Sequence, residues 1–173
     1  MTGGVDTWAI PRHSAVGAGL IDRADFECAH RAPLAHPDIG VDAIFRAIFA
    51  HRPAWLVAAL ILRSRAGALL GHEVSTDAEI RGTAPPSRIA PGERIGGWPI
   101  QFVSAEELVA GRDNPHLDFR VSVLKAADHR SAIVSTVCWA KTHPGRAYLM
   151  AVAPVHRSGV KKLIETAVKH GRL

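Results

Sequence analysis

The sequence predicts an α+β domain, with an antiparallel β-sheet covered on its apolar face by one long C-terminal amphipathic helix. Three observations predict it. First, Leu117-Asp118-Phe119-Arg120-Val121-Ser122-Val123 alternates strictly between apolar and polar residues, the period of a strand with one buried face. Second, Val41, Ile44, Phe45, Ile48 and Phe49, and later Val160, Leu163, Ile164, Ala167 and Val168, follow the i, i+3, i+4, i+7 spacing of a helical stripe. Third, the strand candidates after Trp98 are joined by short connections, which suit an antiparallel meander.

Taken in order, residues 1–23 read as an irregular N-terminal lead-in, with Trp8 and Ile10 free to pack on the body, and residues 24–173 as a single domain. Ala24 to Leu34 is a first strand with Phe26, Cys28 and His30 on one face, ended by Pro33 and Pro37. Asp38 to Gly40 opens the first helix, and His51-Arg52-Pro53 breaks it. Pro53 suits the first turn of a second helix, carrying Trp55, Leu56, Ala59 and Leu60 towards Gly71. His72 to Gly97 is long, Pro- and Gly-punctuated and irregular: a binding loop, a lid or a variable surface loop. Strands are then expected at Trp98 to Ser104, His116 to Leu124, Ala132 to Lys141 and Arg146 to Val152. Pro154 ends the sheet, Ser158 caps the last helix and Gly171 stops it.

The chain has 173 residues, 47% hydrophobic and 21% charged, the balance of a globular domain with one core. Its formal charge of +5 is scattered, as at Lys161, Lys162, Lys169 and Arg172. Without a Lys/Arg run interleaved with aromatics, no nucleic-acid partner is expected. The longest apolar run, Ala54 to Leu62, is too short to span a bilayer, and no signal core opens the chain. The expectation is a soluble cytoplasmic protein without a membrane partner; a homodimer stays open. Cys28 and Cys138 lack Cys-x-x-Cys spacing and read as core thiols. The ten histidines are not spaced as metal ligands, so no metal is expected. No glycine-rich nucleotide loop and no Gly-x-Ser-x-Gly elbow occurs, so no cofactor is expected either.

Several side chains are candidates for a site. His116, Asp118 and Arg120 share the polar face of the central strand and would make an acid–base row: Asp orients His, and Arg holds an anionic oxygen. The competing reading is a water-facing ladder of charge pairs, favoured because the sequence offers this sheet only one apolar face. Glu106 and Glu107 lie within reach of Arg120 as ion-pair partners. Tyr148, placed on the last strand, faces either a cavity or the core. Trp98 is a candidate for a cavity mouth, Trp139 for a ligand platform or a core residue, and His156 for an anion contact at the turn into the last helix or a plain exposed turn.

The order of elements resembles the helix-grip architecture of the START and Bet v 1-like superfamily. The residues His116-Leu117-Asp118-Phe119-Arg120-Val121-Ser122-Val123, Gly145-Arg146-Ala147-Tyr148-Leu149 and Val152-Ala153-Pro154-Val155-His156-Arg157 resemble DUF2867, a bacterial family of unknown function. The superfamily resemblance implies a cavity between sheet and C-terminal helix, often holding a hydrophobic or aromatic ligand. It also includes polyketide cyclases and dehydratases. Three functions follow as expectations. The first is a small-molecule-binding protein. The second is a cofactor-independent cyclase, dehydratase or isomerase using His116, Asp118, Arg120 and Tyr148. The third is a protein-interaction module using the basic surface.

Overall fold

The computed structural model describes residues 4–17, 19–51, 57, 61, 89–95 and 98–173. Among these, seven strands form one sheet: β1 (Asp6–Trp8), β2 (Phe26–Pro33), β3 (Arg94–Ile95), β4 (Trp98–Val103), β5 (Glu107–Arg112), β6 (Leu117–Lys125) and β7 (Ser131–Ala140). Their order is β1-β2-β7-β6-β5-β4-β3, and every pairing is antiparallel. Two helices are described in full beside it, α1 (Val41–Phe49) and the 27-residue α2 (His143–Lys169). This is the α+β arrangement of antiparallel sheet and long C-terminal helix that the sequence predicts. Of the second helix expected after β2, only Val57 and Ile61 are described, both helical; most of the 72–97 connection lies outside the described residues.

The alternation on β6 sorts the sheet's faces. Phe119, Val121 and Val123 join Leu108, Ala110 and Val134 in the main core, beneath Ile44, Phe45 and Ile48 of α1 and Val160, Leu163, Ile164 and Ala167 of α2. Asp118, Arg120 and Ser122 take the opposite face. No helix of the described residues is long and apolar enough to cross a membrane.

Two expectations are corrected. Arg146 to Val152 is not a strand but the start of α2, so Tyr148 stands on a helix, Pro154 lies inside it and Ser158 is not its cap. The N-cap is Thr142, whose side-chain oxygen accepts from the Gly145 N–H (3.2 Å), with Pro144 in the first turn. Leu149 packs with Phe26, Cys28 and Cys138 before Pro154, and Val160, Leu163, Ile164 and Ala167 pack in the main core after it. Packing on both sides outweighs the single hydrogen bond the proline forfeits. The start of α2 is pressed on the entry to β6: a Cβ at Gly145 would fall 2.1 Å from the His116 carbonyl oxygen. Gly145→Ala, which raises helix propensity, is therefore expected to lose about 1–3 kcal/mol through overpacking, read as a lower denaturant midpoint.

The second correction concerns the outer face, expected to look to water. The lead-in crosses it. After pairing as β1, the chain packs Val16 against Val109 of β5 and Val137 of β7, with Ile10, Ala24 and Trp139 around them. A short 3-10 turn at Ile21–Arg23 returns it to β2. The anchor is Glu107, only 4% exposed. Its carboxyl group accepts from the Ser14 hydroxyl (2.6 Å), the Ala15 N–H (2.8 Å) and the Ser122 hydroxyl (2.6 Å). A buried carboxyl group satisfied by three donors replaces the second apolar face that the alternation on β6 lacks.

Candidate functional site

The predicted row is present in part and its polar atoms serve the fold. His116 precedes β6; its Nδ1 lies 3.0 Å from Thr142 Oγ1. That hydroxyl already accepts from Gly145, so its own proton is available to the imidazole. Asp118 accepts from the Asn114 N–H (3.2 Å) and pairs with Lys141 (2.7 Å). Arg120 pairs with Asp113 (2.6 Å), donates to the Phe119 carbonyl and lies 5.9 Å from the centre of the Trp139 ring. His116 thus ties β6 to α2, while Asp118 and Arg120 reinforce the turn before the strand and the β6–β7 contact.

The remaining candidates are dispersed. Trp98 is half-buried in an edge-to-face cluster with Phe45, Phe49 and Phe119, at centroid distances of 6.1, 5.7 and 5.4 Å. Glu106 is exposed, its Oε2 3.7 Å from His129 Nδ1. Trp139 lies on the outer face, where its Nε1–H donates to the Leu20 carbonyl (3.2 Å). Tyr148 is half-buried in the first turns of α2. His156, expected at a turn, is in mid-helix, so no helix N-terminus lies beside it to bind an anion with it.

His156 instead belongs to a polar cluster under α2 that the predicted row does not include. Its Nε2 is 3.1 Å from Thr136 Oγ1 on β7, and its ring meets Phe26 edge-on at 5.7 Å. Thr136 stands opposite Cys28 in the β2–β7 register, and its proximity pulls the thiol pKa down. His30 follows two residues along the same face of β2, paired with Val134. It is 2% exposed, yet neither ring nitrogen completes a hydrogen bond among the described residues. Burial lowers the pKa of His30, and the nearby cations Lys161 and Arg157 add to the effect; the Arg157 backbone and Glu165 pull the other way. Burial likewise raises the Cys28 thiol, against the opposing pull of Thr136 and Arg157.

A cleft of about 490 Å³ opens beside this cluster. β1 covers β2 only from Ala29 to Arg31, so the strand's edge is uncovered at Glu27 and Cys28. The cleft forms there. Trp8, Ile10 and Ile21 of the lead-in make one wall and Cys28 and His30 of β2 another; Arg157 of α2 overhangs both. Arg157 donates to the Glu27 carbonyl (3.3 Å) and stacks over Phe26. The clue available in the sequence was Cys28 and His30 alternating with Phe26 on one strand face. What hid the site was that its other parts come from a lead-in with no periodicity and from the middle of a helix.

With the geometry described, similarity to known proteins can be placed. No curated protein matches the chain. Among solved structures, "Crystal structure of Ara h 8.0201" matches with 14% identity and a TM-score of 0.34, covering 84% of this chain and 98% of that one. The family described as "Protein of unknown function (DUF2867)" matches residues 20–163, which hold all three stretches quoted above and nearly every element from β2 to α2. The chain belongs to the DUF2867 family.

Proposed function

We propose that the protein binds a small, largely apolar molecule carrying one hydrogen-bonding oxygen, in the cleft between the lead-in, β2 and α2. The observation that carries this is His30. A buried imidazole with no partner costs about 1–3 kcal/mol, a penalty natural cores rarely leave standing unless something else satisfies the group. The ring nitrogens have no accessible surface in the free protein, so a ligand oxygen would meet them as the cleft wall beside β2 yields. The volume of about 490 Å³ suits a small organic molecule, and the walls of Trp8, Ile10 and Ile21 suit an apolar body. The contact between sheet and helix from Val160 to Ala167 is filled by core side chains, so the binding space lies at the β2 edge under Arg157.

The test is His30→Leu. Removing an unsatisfied buried group should stabilise the free protein by about 1–3 kcal/mol. The same change should weaken binding of an apolar ketone or alcohol, measured by titration calorimetry, by about tenfold or more. The pH dependence carries a sign. His30 has a lowered pKa when folded, so its neutral form is the one that fits. Stability is complete above its ordinary value of 6.5 and falls as pH drops through it; His30→Leu should remove that loss. A destabilised His30→Leu protein with unchanged affinity would overturn the reading.

A further inference from the structure

We infer that Cys28 is a nucleophile of this cleft, capturing an α,β-unsaturated carbonyl compound by conjugate addition while Thr136 and His156 take up its proton. The inference rests on the reading of the cleft as a small-molecule site. Cys28 and His30 both line the cleft and project from the same face of β2, roughly 7 Å apart as i and i+2 residues. His30, buried and without a hydrogen-bond partner among the described residues, has one N–H to give as a neutral imidazole. A carbonyl oxygen is what it would hold. The β-carbon of the same conjugated unit then lies towards Cys28, so the two residues read the two ends of one electrophile.

The proton has a route out. Thr136 lies directly across the register from Cys28, on the same face of the sheet. Its Oγ1 is 3.1 Å from His156 Nε2. A threonine hydroxyl has one proton and two lone pairs, so it can hand its proton to the imidazole as it takes up the one leaving the thiol. In the step itself, sulfur forms a C–S bond at the β-carbon and the C=C π pair moves on to give an enolate held at His30. The thiol proton passes through the Thr136 hydroxyl to His156, and a proton returns to the α-carbon. The product is a thioether; nothing is oxidised or reduced, and no co-reactant is needed. Arg157, over the cleft, favours the thiolate and Glu27 opposes it. Burial keeps the resting thiol protonated, which is why a relayed base matters. Cys138 is buried in the same cluster as Cys28, with Phe26 and Leu149, but does not line the cleft, so it serves as an internal control.

The experiment treats the full chain with benzylideneacetone, an aromatic enone, and follows intact mass and a peptide map over time. One adduct is expected, at Cys28, forming about tenfold or more faster than any at Cys138, and absent in Cys28→Ser. Thr136→Val and His156→Gln should slow it by about 10², the contribution of a positioned base, and should alter the pH profile of the rate. Packing alone would leave that profile in place. Thr136→Ser keeps the hydroxyl and should keep the rate; it also decides the matter if Thr136→Val does not fold. Modification of Cys28 only after unfolding, or an unchanged rate and pH profile in Thr136→Val and His156→Gln, overturns the proposal. Binding of the saturated analogue benzylacetone separates the two readings. Binding to Cys28→Ser with no adduct in the native protein overturns only the capture step. Absence of binding to both proteins removes the cleft reading, and with it this one.

Discussion

Ile164→Asp is expected to abolish the folded state or lower its melting temperature by about 10–20 °C. Ile164 is fully buried, in a cluster with Ile44, Phe45, Leu108, Val121 and Val134. Truncating such a side chain alone costs about 2–5 kcal/mol. The aspartate adds a buried group with no partner, at several kcal/mol more, or takes up a proton to avoid being charged. The sum of about 5 kcal/mol or more is comparable to the whole stability of a domain this size. Ile164→Leu, which conserves volume, should cost less than about 1.5 kcal/mol. Lys162→Asp on the exposed side of the same turn should stay within about 1 kcal/mol. Thermal unfolding of the three proteins decides whether α2 covers the sheet: an Ile164→Asp protein that melts like the parent would mean that it does not.

That result would test the part of the fold most legible in the sequence. The stripe from Val160 to Val168 and the alternation on β6 are periodic, and periodicity survives translation into structure because one buried face repeats. The first half of α2 was hidden by Pro154, read as a terminator. The helix tolerates it because each side is anchored separately, Leu149 beside Phe26 and Cys28, and Val160 to Ala167 in the main core. β5 was missed for a different reason. Glu107-Leu108-Val109-Ala110-Gly111 has no alternation, because it is buried on both faces, and it opens with a carboxyl group that looks like surface. β7 held the warning. Residues 131–138 are all buried, a run no sheet with one wet face would need, and the lack of strict alternation from Ala132 to Trp139, with Ile133 beside Val134 and Val137 beside Cys138, was visible in the sequence. Among the candidate site residues, His116, Asp118 and Arg120 were found by their chemistry, yet each has a partner in a neighbouring turn or element. Thr136 and Arg157 acquire their place only through the β2–β7 register and the helix crossing, which no local pattern encodes.

The same buried Glu107 gives the second large effect. Glu107→Ala is expected to cost about 3–5 kcal/mol and to release the lead-in from the sheet. The substitution leaves the Ser14 hydroxyl, the Ser122 hydroxyl and the Ala15 N–H without their common acceptor, in a place where Ser14 is 1% and Ser122 0% exposed. Each orphaned donor costs about 1–3 kcal/mol, reduced where a serine finds another acceptor. Ser14→Ala removes one donor, leaves the carboxyl group with two and strips the buried Val16 N–H of its acceptor (3.2 Å), so it should cost about 1–3 kcal/mol. A double-mutant cycle should show the two changes coupled by about 1–3 kcal/mol, because they share one network. The loss is also local. The lead-in carries Trp8, Ile10 and Ile21, one wall of the cleft on the far side of the sheet's edge. Limited proteolysis of Glu107→Ala should therefore cut within residues 9–24 while β6 and β7 stay protected from hydrogen exchange, and ligand affinity should fall although no contact residue has changed. If Glu107→Ala unfolds within 1 kcal/mol of the parent and its lead-in resists protease, packing of Val16 on Val109 and Val137 holds this layer and the carboxyl group does not.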